Sequence, residues 1–131
     1  MDEQLPIGTA ATHVWPITES LTVRAHGSMD LPVLATPHLI FMLEDTCVMA
    51  VAPRLAAGTL TVGTAVHVDH LAAAKAGDEL TTRAELVAVR GRRLVFRVEG
   101  RCGRTLVSRG LHERAIVDAK AFVESLGAPA R

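Results

Sequence analysis

Residues 60–70, 80–89, 93–99 and 105–117 are rich in β-branched side chains and alternate apolar with polar positions, a pattern that predicts strands. Turn residues separate them, KAGD at 75–78, VRGRR at 89–93 and RCGR at 101–104, and connections this short favour antiparallel neighbours. Upstream, residues 9–18 and 21–26 read as one bent or interrupted strand region, in which Pro16 forces a break or an edge position. Glycine and proline make 27–35 a loop. Thr36 then offers an N-cap hydroxyl and Pro37 a first helical residue, so a helix is expected from there to about Ala52, before Pro53 and the loop at Gly58. With roughly 15 residues it would be ~23 Å long. Its apolar side chains point in nearly every direction around the axis, the mark of a helix enclosed by protein. Residues 118–126 predict a short terminal helix ending at Gly127. One long helix followed by closely connected strands predicts an α+β domain in which an antiparallel sheet wraps around that helix.

Composition narrows the class. A chain of 131 residues with 49% hydrophobic and 21% charged residues suits a single domain over 1–131 with a real core, and excludes a disordered protein. Fourteen Lys and Arg balance fourteen Asp and Glu, so no net field attracts nucleic acid or an anionic membrane. The start, MDEQLPI, is acidic and unlike a secretory leader, and no apolar run approaches the ~20 residues of a membrane helix. A soluble, cytoplasmic protein is the expectation. Cys47 and Cys102 form no disulfide framework or zinc spacing and are expected to be buried thiols. Cys47 follows Glu44 by three residues, yet its apolar neighbours suit packing better than nucleophilic attack.

Glu44 and His70 are the residues most suggestive of chemistry. Burying a carboxylate among Ile40, Phe41, Leu43, Val48 and Met49 costs several kcal/mol unless a partner or substrate compensates, and acid–base chemistry is one reason to accept that cost. Strand parity puts Val62, Thr64, Val66, Val68 and His70 on one face and Gly63, Ala65, His67 and Asp69 on the other. If the first face packs on the helix, His70 points towards Glu44; a core histidine simply hydrogen-bonded to that carboxylate is then the plainest reading. Thr36 precedes Glu44 by eight residues, ~12 Å along a helix, so the two cannot bond directly. A substrate or a second subunit would have to span them, and alone Thr36 is an ordinary helix cap. Gly63 within a strand signals a bulge or a close backbone approach. Arg90, Arg92 and Arg93 crowd one turn, as solvated hairpin charge or as a grip for the phosphates of a nucleotide-bearing ligand. His13, His26, His38, His67 and His112 show no metal-ligand spacing, so no metal is expected. The motifs GxSxG, GxxxxGK[ST] and GxGxxG are absent, which removes ordinary serine hydrolases, nucleotidases and dehydrogenases.

Four segments resemble a known family: Ala35–Thr36 with Glu44 eight residues on, VGTAVHVDH at 62–70, VRGRRL at 89–94 and HERA at 112–115. In this order and spacing, from about Leu31 to Val117, they are similar to the fluoroacetyl-CoA thioesterase family of the hotdog fold. The resemblance implies that Thr36, Glu44 and His70 are catalytic, that Gly63 lies close to the bound acyl group, and that Arg114 is a substrate-side or supporting charge. It further implies a substrate contact at Leu34, a homodimer with interfacial active sites, and an acyl-CoA substrate with no separate cofactor. One departure bears on specificity. The fluoroacetyl-specific enzyme carries aromatic residues before the helix that close over the acyl group, whereas residues 16–40 here contain no Phe, Trp or Tyr, and Leu31, Val33 and Leu34 occupy that stretch.

The function expected is hydrolysis of a short-chain acyl-CoA thioester, fluoroacetyl-CoA-like or another short acyl group, to the free acid and CoA. Glu44, assisted by His70, would activate water or attack the carbonyl directly, with Thr36 orienting the reacting group and backbone N–H groups near the helix start or Gly63 holding the oxyanion. One alternative is an acyl-CoA hydratase or dehydratase, against which the absence of a DxNPxH-type element counts. Another is a non-catalytic acyl-CoA binding or sensing module in which Glu44 and His70 only bond each other.

Overall fold

The computed structural model describes residues 5–27 and 29–127. The acidic start at 1–4, Ser28 and the last residues, 128–131, lie outside the described residues, so the domain expected over 1–131 is described between its ends. Strands β1 (Ala10–Pro16), β2 (Thr59–His70), β3 (Glu79–Arg90), β4 (Arg93–Cys102) and β5 (Thr105–Asp118) form one antiparallel sheet in the order β1-β3-β4-β5-β2. Tight turns join β3 to β4 and β4 to β5, where Gly91 (φ 61°) and Gly103 (φ 57°) take the left-handed backbone that such hairpins need. Pro16, unable to donate to a ladder, is the last residue of an edge strand. Residues 21–26 are not a strand, contrary to expectation. Glu19–Leu21 and Arg24–His26 are 3-10 turns, held by Thr22 Oγ1 donating to Glu19 O at 2.7 Å and by an Arg24–Glu19 ion pair at 2.7 Å. Such local side-chain bonds offer the backbone an alternative to a ladder.

Helix α1 runs Thr36–Val51. Its N-cap residue is Ala35, with no side-chain cap, so Thr36 is the first helical residue and not the cap the sequence suggested. Leu39, Met42, Leu43, Cys47 and Val51 pack into one core with Leu80, Ala84, Leu86, Leu94, Phe96 and Val98 of the sheet. Each large aliphatic or aromatic side chain buried there contributes roughly 1.5–3 kcal/mol. A chain of polar atoms sets the register of helix on sheet: Trp15 Nε1 donates to Thr82 Oγ1 at 2.8 Å, Thr82 lies 2.7 Å from Thr46 Oγ1, and Thr46 donates to Met42 O at 2.7 Å. The opposite side of α1 is open, with Phe41 57% exposed and Glu44 and Val48 half-buried. The enclosure expected all round the helix is therefore not found among the described residues, because one sheet has a single face to offer. Helix α2 (Ala119–Ser125) follows β5, its start capped by the Asp118 carboxylate accepting from Ala121 N at 2.8 Å.

Candidate active site

The pairing of β2 with β5 shifts register between Gly63 and Ala65, so Thr64 is an extra residue. Such a bulge switches the alternation of side chains. Before it, Thr61 and Gly63 face the helix side with their partners Ile116 and Arg114; after it, Val66, Val68 and His70 do so with His112, Gly110 and Ser108. The uniform parity expected for 62–70 is corrected on this account. His70 keeps its inward place, but Gly63 shares it in place of Val62 and Thr64. A Cβ at Gly63 would stand 2.9 Å from Glu44 Oε2, 3.3 Å from Arg114 Nη1 and 3.4 Å from His112 Cε1. Glycine here lets a helix carboxylate approach the sheet backbone.

Glu44 is not fully buried, as its apolar neighbours suggested, but 34% exposed at the side chain on the open side of α1. Its Oε2 lies 3.5 Å from His112 Nε2 and 3.9 Å from Arg114 Nη1. Both partners are buried, His112 to 1% and Arg114 to 7% exposure. Arg114 is clamped by Thr61, Nε donating to Oγ1 and Nη2 to the carbonyl, each at 2.8 Å. His112 Nδ1 is 2.9 Å from Ala65 O, and its Nε2 is 3.0 Å from Arg114 Nη1. A carbonyl only accepts, so Nδ1 carries the proton and Nε2 accepts from Arg114. Burial first, then the Arg114 charge, holds His112 below its ordinary range. Burial also pulls Arg114 down, opposed by Glu44. In the sequence His112 lacks metal-ligand spacing and stands out only as the first residue of the HERA segment. The signal it carried was shared strand parity with Arg114, two residues on.

His70 bonds to Thr36 instead of Glu44: Nδ1 lies 2.8 Å from Thr36 Oγ1, and the buried Nε2 has no hydrogen-bond partner among the described residues. The hydroxyl read as a helix cap is thus engaged across the gap between the start of α1 and the end of β2. Leu34, two residues before Thr36, is buried at 1% with its N–H on Ala74 O at 2.7 Å. Arg92 and Arg93 are exposed at the β3–β4 turn, where Arg92 Nη1 reaches Ile116 O at 3.4 Å and Arg93 lies 3.9 Å from Glu113. Through Ala115, Arg93 is level with Val62, at the bulge end of β2 and away from His70. Cys47 and Cys102 are free; Cys47 is fully buried and Cys102 partly so. Burial pushes the Cys47 thiol up to about 12, which suits packing and not attack. Among the described residues no group of three or more His, Cys, Asp or Glu is arranged to hold a metal ion, and no helix is long and apolar enough to cross a membrane.

A long helix laid across a five-stranded antiparallel sheet, with a glutamate on its open side and a threonine–histidine pair at its start, defines a hotdog-fold thioesterase. The chain belongs to the fluoroacetyl-CoA-specific thioesterase family, which matches it over residues 17–120. The fluoroacetyl-CoA thioesterase of Streptantibioticus cattleyicolor is 36% identical over 129 residues, 93% of this chain and 92% of that protein. A solved structure of a fluoroacetyl-CoA thioesterase is similar with a TM-score of 0.88 at 34% identity, covering 97% of this chain and 100% of the other. A thioesterase superfamily member from Thermus thermophilus gives 0.85 at 29% identity, over 94% of this chain and 90% of its own.

Proposed function

We propose that this thioesterase hydrolyses a short-chain acyl-CoA, with fluoroacetyl-CoA among the candidates, at a site made by Thr36, Glu44 and His70 and completed by a second copy of the chain. The observation that carries this reading is the state of Glu44: a partly exposed carboxylate in apolar surroundings, beside a buried arginine, that accepts no hydrogen bond among the described residues. Its lone pairs are free for a water or a thioester carbonyl. As general base, Glu44 takes a proton from water while the water oxygen bonds to the carbonyl carbon; the C–S bond then breaks and the proton passes to the departing sulfur. By direct attack, a Glu44 oxygen bonds to the carbonyl carbon and the C–S bond breaks to release the CoA thiolate; water then opens the mixed anhydride, giving one proton to the thiolate and restoring the Glu44 carboxylate. Thr36 fixes the His70 ring through Nδ1, and Nε2, which has no hydrogen-bond partner among the described residues, is left for a group of the reaction.

Backbone donors at the Gly63 bulge and the start of α1 suit the oxyanion, and Gly63 lets the Glu44 carboxylate come close to β2 there. Leu34 would bound the acyl pocket from the core side, with Arg114 as the charge behind the carboxylate. Arg92 and Arg93, exposed on their turn, suit the phosphates of CoA. The reading calls on no cofactor beyond the CoA of the substrate. Two features support a homodimer. Strand β2, of 12 residues, ends the sheet with an edge that is unpaired among the described residues, and Leu60 and Val66 are each 40% exposed along it. Phe41 is open on the uncovered face of α1. Release of free thiol from a panel of short acyl-CoAs, acetyl- and fluoroacetyl-CoA included, tests the reading. Wild type should turn over one or more of them and Glu44→Gln should lose at least ~10²-fold in kcat. Binding without release by the wild type would instead identify a non-catalytic acyl-CoA module.

A further inference from the structure

We infer that His112 is a positioning residue that holds Arg114 off Glu44, by accepting the hydrogen bond the guanidinium would otherwise give to the carboxylate. This rests on the reading of Glu44 as the catalytic carboxylate. Arg114 Nη1 has two acceptors nearby, His112 Nε2 at 3.0 Å and Glu44 Oε2 at 3.9 Å. The rest of the guanidinium is tied to Thr61 through Nε and Nη2, which leaves Nη1 as the arm that selects between them. Ala65 O, accepting from His112 Nδ1 at 2.9 Å, fixes the tautomer in which Nε2 presents a lone pair. A charge-assisted arginine–carboxylate bond normally closes to ~2.7–2.9 Å. Here it is kept open by roughly 1 Å relative to that range.

The gap has a chemical consequence. A closed ion pair occupies a carboxylate lone pair and weakens the oxygen as base or nucleophile. At 3.9 Å, Arg114 offers its charge without occupying that lone pair. The other ionisable groups near the cluster leave the choice to His112: Asp45 of α1 acts on Arg114 only through space, the Cys47 thiol is neutral, and Glu113 lies on the other face of β5, beside Arg93. Gly63 keeps open the space in which the three side chains converge.

Two substitutions separate this role from plain packing. His112→Phe keeps a ring and removes the acceptor; His112→Gln keeps an acceptor at similar reach. In the Phe variant kcat should fall about 10-fold and the acid limb of the kcat/KM profile should move to lower pH, the direction a closed ion pair imposes. The Gln variant should restore both. A 13C NMR titration of glutamate-labelled protein, with Glu44→Gln assigning the signal, follows the carboxylate without turnover and should show its midpoint lower in the Phe variant than in wild type. If the phenyl ring prevents folding, His112→Leu carries the same readouts. An acid limb and a 13C midpoint that both stay in place in a folded variant, or a Gln variant that behaves like Phe, would overturn the inference. Wild-type turnover by Glu44→Gln would instead defeat the catalytic reading, and the 13C comparison would still decide whether His112 keeps Arg114 away.

Discussion

Thr36 Oγ1 lies 2.8 Å from His70 Nδ1, a bond that joins the first residue of α1 to the last of β2. Because α1 has no side-chain cap, this hydroxyl engages β2 and not the helix end. Thr36→Val should therefore leave the melting temperature within a few degrees of wild type, without the ~1 kcal/mol loss typical of a deleted cap. Turnover should fall by about 10²-fold as the His70 ring loses its orientation. Thermal melts paired with steady-state kinetics check both; a large loss of stability with normal kcat would reverse the assignment.

Gly63→Ala places a methyl 2.9 Å from Glu44 Oε2, the far end of a flexible side chain, so the fold should survive while the carboxylate shifts. A displacement of this kind should lower kcat by roughly 10–10²-fold. Kinetics on a variant verified by circular dichroism decide it, and unaltered kcat would mean that the approach of Glu44 to β2 is immaterial to turnover.

Stability should depend on His112. Its folded value lies below the ordinary 6.5 because the ring is buried beside Arg114. As pH falls, the unfolded chain takes up the proton first, so this contribution is complete above about 6.5 and is lost as pH drops towards the folded value. Melting temperatures at about pH 7.5 and about pH 5.5 should differ more for wild type than for His112→Gln. Equal differences would remove His112 from the acid response.

The edge of β2 should pair with a second chain. Light scattering should give a particle near twice the 14.0 kDa of one chain. Val66→Lys, on the exposed part of that edge, should shift it towards monomer and reduce turnover together. A fully active monomer would show that each chain carries a complete site.

Much of this architecture was legible in the residue order. Pro37, Pro53 and the apolar run between them delimit α1 to within a residue or two, and the turns at Gly91 and Gly103 place β3, β4 and β5, because caps, breakers and tight turns act over a few neighbouring residues. Glu44 and His70 stood out for a similar reason, being ionisable groups in apolar runs. The 3-10 turns at 19–26 were missed because bonds from Thr22 and Arg24 to Glu19 outweigh the β-propensity of that stretch.

What only the tertiary structure decided depends on partners distant in the chain. The bulge at Thr64 exists only against β5, and it turns Gly63 towards the helix. Thr36 bonds His70 instead of capping its own helix because the end of β2 is brought beside it, a proximity that no local pattern encodes. His112 and Arg114 lie beneath Glu44 because the β2–β5 register sets them there. By itself the sequence determined the elements and the residues able to do chemistry; the pairing of strands and the packing of helix on sheet decided which of them meet, since those contacts are selected by the free energy of the whole fold and not by any segment alone.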